Sequence, residues 1–215
     1  MDYKELVRIV KQGEGLHIEF KLKTNHPEKI IREIVAFANT AGGYLLVGID
    51  DTGQIKGLKN PQGDRYVLEK AIATQCIPAI HYTLTSVQVG NDQEVLVYYI
   101  HTSEDKPYCV INQEGHKKAY VRIADKSVQA SREMYQVMRQ ARRRNVKFVY
   151  GEKEQQLMKI LETQGMITVD EYAAKANLSK SIASKTLVLL VLANVLEIHP
   201  HESTDWFTRR EVEYS

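Results

Sequence analysis

The sequence predicts an α+β protein in two parts. A mixed sheet-and-helix domain covers residues 1–144, and a smaller helix-turn-helix domain closed by a strand pair covers 145–215. Three observations carry that prediction. Tyr44-Leu45-Leu46-Val47-Gly48-Ile49 is a nearly unbroken apolar run, opened by Gly42-Gly43 and closed by Asp50-Asp51, and it reads as a buried central strand. Helical and strand periods are mixed on both sides of it as far as the helix that begins near Ser131. Beyond a composition shift at Asn145–Gly151 the periodicity becomes mostly helical.

The elements follow in order. Asp2–Gln12 reads as a short helix, with Leu6, Val7, Ile9 and Val10 on its apolar side and Gly13 ending it. In the next stretch Leu16, Ile18 and Phe20 alternate with His17, Glu19 and Lys21, the period of a half-buried strand. Pro27 suits the first turn of a helix to about Asn39, whose buried side is Ile30, Ile31, Ile34, Val35 and Ala38. Gly42-Gly43 then allows the turn into the central strand. Asp50-Asp51-Thr52-Gly53-Gln54 is a turn signal, and Asp64 is placed to cap a helix reaching about Gln75, with Val67, Leu68, Ala71 and Ile72 buried. Two strands, about 80–89 and 94–100, make a hairpin around Gly90-Asn91-Asp92. Shorter strands are expected at 106–111 and 119–123, and a helix from Ser131 to about Arg144.

In the C-terminal third, Glu152–Glu162 reads as a helix, Thr168 caps a second, and Ser179 caps a third that runs to about Leu192. Two short strands, 195–198 and 206–208, follow. Helix, helix–tight turn–helix and strand pair are the order of a winged helix, whose second motif helix enters the major groove of DNA. Lys180, Ser181, Ser184 and Lys185 fall on the side away from Ile182, Leu187 and Leu190 and are the candidate DNA contacts. Such modules also serve for dimerisation and protein docking.

Composition narrows the function classes. The chain is 215 residues, 43% hydrophobic and 26% charged, which suits an ordinary globular protein with a sizeable core. No segment is apolar for the length of a membrane span, and the charged start, Met1-Asp2-Tyr3-Lys4-Glu5, lacks a signal-peptide core, so a cytoplasmic protein without membrane contact is expected. Cys76 and Cys109 lie far apart without metal-ligand spacing and are expected as free thiols. The net charge is only +2, but Ser131–Lys147 holds Arg132, Arg139, Arg142, Arg143, Arg144 and Lys147 against the single acid Glu133. Such a cluster attracts phosphate or simply solvates a helix end. No Gly-x-x-x-x-Gly-Lys-Ser/Thr loop is present, which speaks against P-loop nucleotide binding.

Glu14, Glu19 and Asp50/Asp51 are acidic positions at or beside strand ends. Converging carboxylates bind Mg²⁺ or Mn²⁺, which can activate water for phosphodiester cleavage. The alternative is that they are surface acids at turns.

Glu14-Gly-Leu-His-Ile-Glu19-Phe20-Lys21, Ala36-Phe37-Ala38-Asn39-Thr40-Ala41-Gly42-Gly43, Gly48-Ile49-Asp50-Asp51-Thr52-Gly53 and Lys118-Ala-Tyr120-Val121-Arg122-Ile123 together resemble the Schlafen-type AlbA_2 domain, over roughly residues 5–130. The resemblance implies a DNA-binding transcriptional regulator, since bacterial members commonly append a winged helix. In that reading Lys21, Lys23, Lys117, Lys118 and Arg122 meet phosphates of DNA or RNA. It also admits a metal-dependent endoribonuclease acting on structured RNA such as tRNA, with Glu14, Glu19 and Asp51 (or Asp50 as the third acid) as catalytic and metal-binding residues and Mg²⁺ or Mn²⁺ as cofactor. The nucleases of the family use a duplicated core and this chain has one copy, so a homodimer is expected.

Overall fold

The computed structural model describes residues 1–112, 114–142 and 149–211. Arg143, Arg144 and Lys147 of the basic cluster, and the expected boundary at 144/145, lie outside the described residues. The chain divides into two units, Met1–Gln129 and Ala130–Ser215.

The first unit is built on a four-stranded mixed sheet. Its chain order is α1 (Tyr3–Val10), β1 (Ile18–Lys21), α2 (Pro27–Asn39), β2 (Gly43–Val47), α3 (Pro61–Gln75), β3 (Cys76–Ile77), β4 (Tyr82–Gly90), β5 (Gln93–Ile100), β6 (Cys109–Ile111), β7 (Lys117–Lys118), β8 (Tyr120–Ile123) and β9 (Lys126–Gln129). The sheet order is β1-β2-β5-β4, with β1 and β2 parallel and the other neighbours antiparallel. Parallel strands need a crossover, and α2 supplies it. Alternation along the strands sends Leu45, Val47, Leu96 and Tyr98 toward α2 and α3, and Phe20, Leu46, Val95 and Val97 toward α1. The central strand is therefore buried on both faces, and its near-continuous apolar run follows from that. Helix α2 has no side-chain cap at His26. A missing cap is worth about 1 kcal/mol, whereas each fully buried Ile or Phe contributes about 1.5–3 kcal/mol, so its apolar side outweighs the missing cap. Gly42, at φ +71°, turns the chain from α2 into β2, and a Cβ there would lie 2.6 Å from the Ile100 carbonyl oxygen.

Three local expectations are corrected. Asn60, not Asp64, caps α3 by accepting from the Gly63 amide at 3.1 Å; Pro61 starts the helix, and Asp64 instead accepts from the Thr24 amide and hydroxyl. Val67 is exposed, because only Leu68, Ala71 and Ile72 of α3 reach the sheet. Strand β1 is buried along Ile18–Phe20, not on one face alone, while Leu16 lies before the strand and is exposed.

The second unit holds α4 (Arg132–Gln140), α5 (Glu152–Gln164), β10 (Met166–Ile167), α6 (Val169–Lys175), α7 (Lys180–Leu192), β11 (Leu196–His199) and β12 (Trp206–Arg209). A three-stranded antiparallel sheet, β10-β12-β11, lies with the helices around Leu157, Leu161, Ile167, Tyr172, Leu187, Leu190 and Phe207. Thr168 and Glu171 form a reciprocal capping box at α6, and Ser179 caps α7. Helix α4 belongs to this unit: the Ser184 hydroxyl on α7 donates to Glu133 on α4, and the Ser131 hydroxyl at its N-cap donates to Asp205. The second compact unit accordingly begins at Ala130.

Candidate functional site

Glu19 lies at the centre of a charge cluster on the α2 side of β1. Its Oε2 accepts from Arg122 Nη1 at 2.8 Å, and its Oε1 accepts from Lys21 Nζ. The Arg122 guanidinium also donates to Glu33 on α2 at 2.6 Å, to the Gly15 carbonyl at 2.6 Å and to Ser127 at 3.3 Å. It lies 4.8 Å from the centroid of the Phe37 ring, and its Nε has no hydrogen-bond partner among the described residues. The Arg122 side chain is 0% exposed. Burial, reinforced by the neighbouring Glu19 charge, raises the Glu33 carboxyl above its usual range.

The motif residues at the end of α2 hold this cluster in place. Buried Asn39 donates to the Tyr108 and Tyr120 carbonyls at 2.8 and 2.9 Å and accepts from the Tyr108 amide at 2.8 Å. The Thr40 hydroxyl accepts from the Arg122 amide at 2.9 Å. One helix end thus fixes the start of β8, and with it the arginine that neutralises Glu19. Glu33, Phe37, Asn39 and Thr40 were not among the expected site residues. The available signal was a polar Asn on the apolar side of a helix.

The other acids lie elsewhere. Glu14 is exposed, and one of its oxygens accepts from the Phe20 amide at 2.8 Å. Asp50 makes an Asx turn, accepting from the Thr52 hydroxyl at 2.7 Å and from the Thr52 and Gln54 amides at 3.0 and 2.9 Å. The Thr52 hydroxyl first, and the Gln54 amide next, lower its pKa. Asp51 is exposed and, with Glu14, Tyr3, Lys11 and Phe20, borders a cleft of about 770 Å³. The structure brings Glu14 and Asp51 to one cleft and leaves Glu19 in the arginine cluster. Among the described residues no three His, Cys, Asp or Glu side chains are grouped to hold a metal ion. With both Glu19 oxygens engaged by cations, the acids do not fit a shared metal site.

The expected cations separate in the same way. Arg122 is buried, and the Lys21 ammonium is bonded to Glu19 and the Phe20 carbonyl, so neither offers a free charge to phosphate. Lys23, Lys117 and Lys118 are exposed. In the second unit Ser181 and Lys185 are exposed, Lys180 pairs with Asp170 at 2.9 Å, and the Ser184 hydroxyl is spent on Glu133. Cys76 and Cys109 are buried and form no disulfide with each other, and burial pushes the Cys76 thiol up to about 12. Among the described residues no helix is long and apolar enough to cross a membrane.

The solved structures similar to this chain include the following two. One is the solution structure of the N-terminal domain of a RecG-related protein from Nitrosomonas europaea, 26% identical, covering 55% of this chain and 82% of that one with a TM-score of 0.42. The other is the DIP2311 protein from Corynebacterium diphtheriae, 20% identical, with a TM-score of 0.41; the match covers 66% of this chain but only 33% of that one. The model of the family described as "Schlafen, AlbA_2" matches residues 14–131, more than half of the chain, from Glu14 through β9. The chain belongs to the Schlafen AlbA_2 family.

Proposed function

We propose that this protein binds nucleic acid and acts as a cytoplasmic DNA-binding transcriptional regulator, with a winged helix as its second unit. The observation that carries the reading is the α6–turn–α7 pair of that unit, followed by the β11–β12 hairpin, with Ser181 and Lys185 exposed on α7. Family membership supports the nucleic-acid part. Lys23, Lys117 and Lys118 supply exposed cations for phosphate, which contribute affinity and little sequence reading. A homodimer is part of the proposal. Its support is β4, a nine-residue edge strand without a charged side chain, whose outer backbone groups suit a second copy. Sedimentation of the full chain tests it.

Fluorescence anisotropy with duplex DNA, single-stranded DNA and RNA across a salt series tests the main reading. Binding that weakens as salt rises is expected. Absence of all binding at low salt overturns it. The second reading is a metal-dependent endoribonuclease acting on structured RNA such as tRNA. Glu14 and Asp51 on one cleft favour it, and the engagement of Glu19 by Arg122 opposes it. Cleavage of tRNA with Mn²⁺ that is lost in Glu14→Ala would establish the nuclease reading.

A further inference from the structure

Helix α1 covers only part of its side of the sheet. It packs over Leu46, Val95 and Val97, and the sheet continues beyond it. There Tyr44 on β2 and Tyr99 on β5 are paired in register, their ring centroids 4.8 Å apart and their planes at 48°. His101 meets Tyr99 edge-on, with centroids 4.9 Å apart, and its Nε2 lies 2.8 Å from the Thr83 hydroxyl. Tyr99 is 37% exposed, and His101 is exposed. A groove of about 350 Å³ runs between these rings and α1, bordered by Arg8, Glu5 and Thr85. That volume is at the lower end of the range of single-ligand sites.

The charges at the rim are unequal in availability. Glu5 is occupied in the α1 capping box, accepting from the Asp2 amide at 3.0 Å, and lies 3.9 Å from the chain's own ammonium. Exposed Arg8 has no ion-pair partner among the described residues. Aromatic rings held on adjacent strands, beside a cation that is not neutralised, are the parts of a base-stacking surface.

We propose that Tyr44 and Tyr99 form a stacking site for an unpaired base of a single-stranded nucleic acid, with Arg8 on the adjoining phosphate. The proposal rests on the nucleic-acid-binding reading and names the ligand class of a surface that reading did not use. Stacking is tolerant of base identity, so this site adds affinity for open strands without selecting a sequence. His101 extends the aromatic edge, and the Thr83 hydroxyl is the polar group beside it.

The test uses the full chain and labelled oligothymidylate, oligouridylate and a DNA duplex. Tyr99→Ala is expected to weaken single-strand binding about ten-fold, and Tyr99→Phe to retain it. Tyr99→Leu keeps an apolar side chain without a π-face and is expected to behave as Tyr99→Ala. Arg8→Gln is expected to lower the salt slope by about one. The two oligonucleotides separate a DNA from an RNA preference, and duplex binding is expected to be unchanged in every variant. Single-strand binding by the wild type that Tyr99→Ala and Tyr99→Leu leave intact overturns the stacking site while the wider reading stands. A wild type that binds no nucleic acid overturns both. A Tyr99→Ala protein that changes its sedimentation and not its binding assigns the rings to contact between copies, and overturns the proposal.

Discussion

The two faces of the central sheet reverse the usual placement of charge and aromatic surface. On the α2 side, Glu19, Glu33 and the Arg122 guanidinium are drawn inside the protein and neutralise one another. On the α1 side, Tyr99 and His101 are left at the surface, with half-buried Tyr44 packed between Tyr99 and the α1 cluster. Buried charge holds structure together at a high cost if one partner is lost, while exposed aromatic area is free to meet a ligand. The difference teaches that Glu19, one of the acids expected to be catalytic, is held here by the buried guanidinium as a structural partner.

The largest expected effect breaks the α2 side. Arg122→Met removes the guanidinium that bridges Glu19 and Glu33, leaving only Lys21 on Glu19, and is expected to cost about 3–5 kcal/mol, read as a lower urea midpoint. Loss of less than about 1 kcal/mol would show that the cluster does not hold the domain. A smaller effect concerns pH. The Glu33 carboxyl is raised in the folded state, so its stabilising contribution is present below the unfolded value near 4.5 and is lost as pH rises through the higher folded value. Glu33→Gln removes that titration, and its stability is expected to vary less with pH across that window than the wild type's. Identical pH profiles would contradict the assignment. The smallest effect on stability lies at the surface. Lys117→Gln with Lys118→Gln is expected to change stability by no more than about 0.5 kcal/mol while lowering the salt slope of nucleic-acid binding by about two. An unchanged slope would remove these two lysines from the interface.

Much of the framework was legible in the sequence because it rests on local patterns. The apolar run of β2, the Pro27–Asn39 helix and the caps at Thr168 and Ser179 each depend on neighbours a few residues away. The site was less legible because its partners are distant. Arg122 follows Glu19 by 103 residues and bonds it directly, and no short-range pattern distinguishes a buried arginine from a solvated one. Arg122 is among the residues expected to meet phosphate, yet α2 covers it through Phe37 and Glu33. Helix α4 falls with the first domain in the sequence pattern because the composition shift, at Asn145–Gly151, comes after it. Its placement depends on two serine–carboxylate bonds, Ser184 to Glu133 and Ser131 to Asp205, that span 51 and 74 residues. Strand β10 is two residues long, too short for periodicity to register.

The arginine also imposes an order on synthesis. Glu19 and Glu33 leave the ribosome well before Arg122, and at about 5–20 residues per second the 103-residue interval lasts on the order of 5–20 s. During that time β1, α2 and β2 are present with Lys21 beside Glu19, but the guanidinium that bridges Glu19 to Glu33 is missing, so the native packing of this face waits for β8. A nascent chain stalled before Tyr120 would keep the two acids in water, and with them the surface that the finished domain seals.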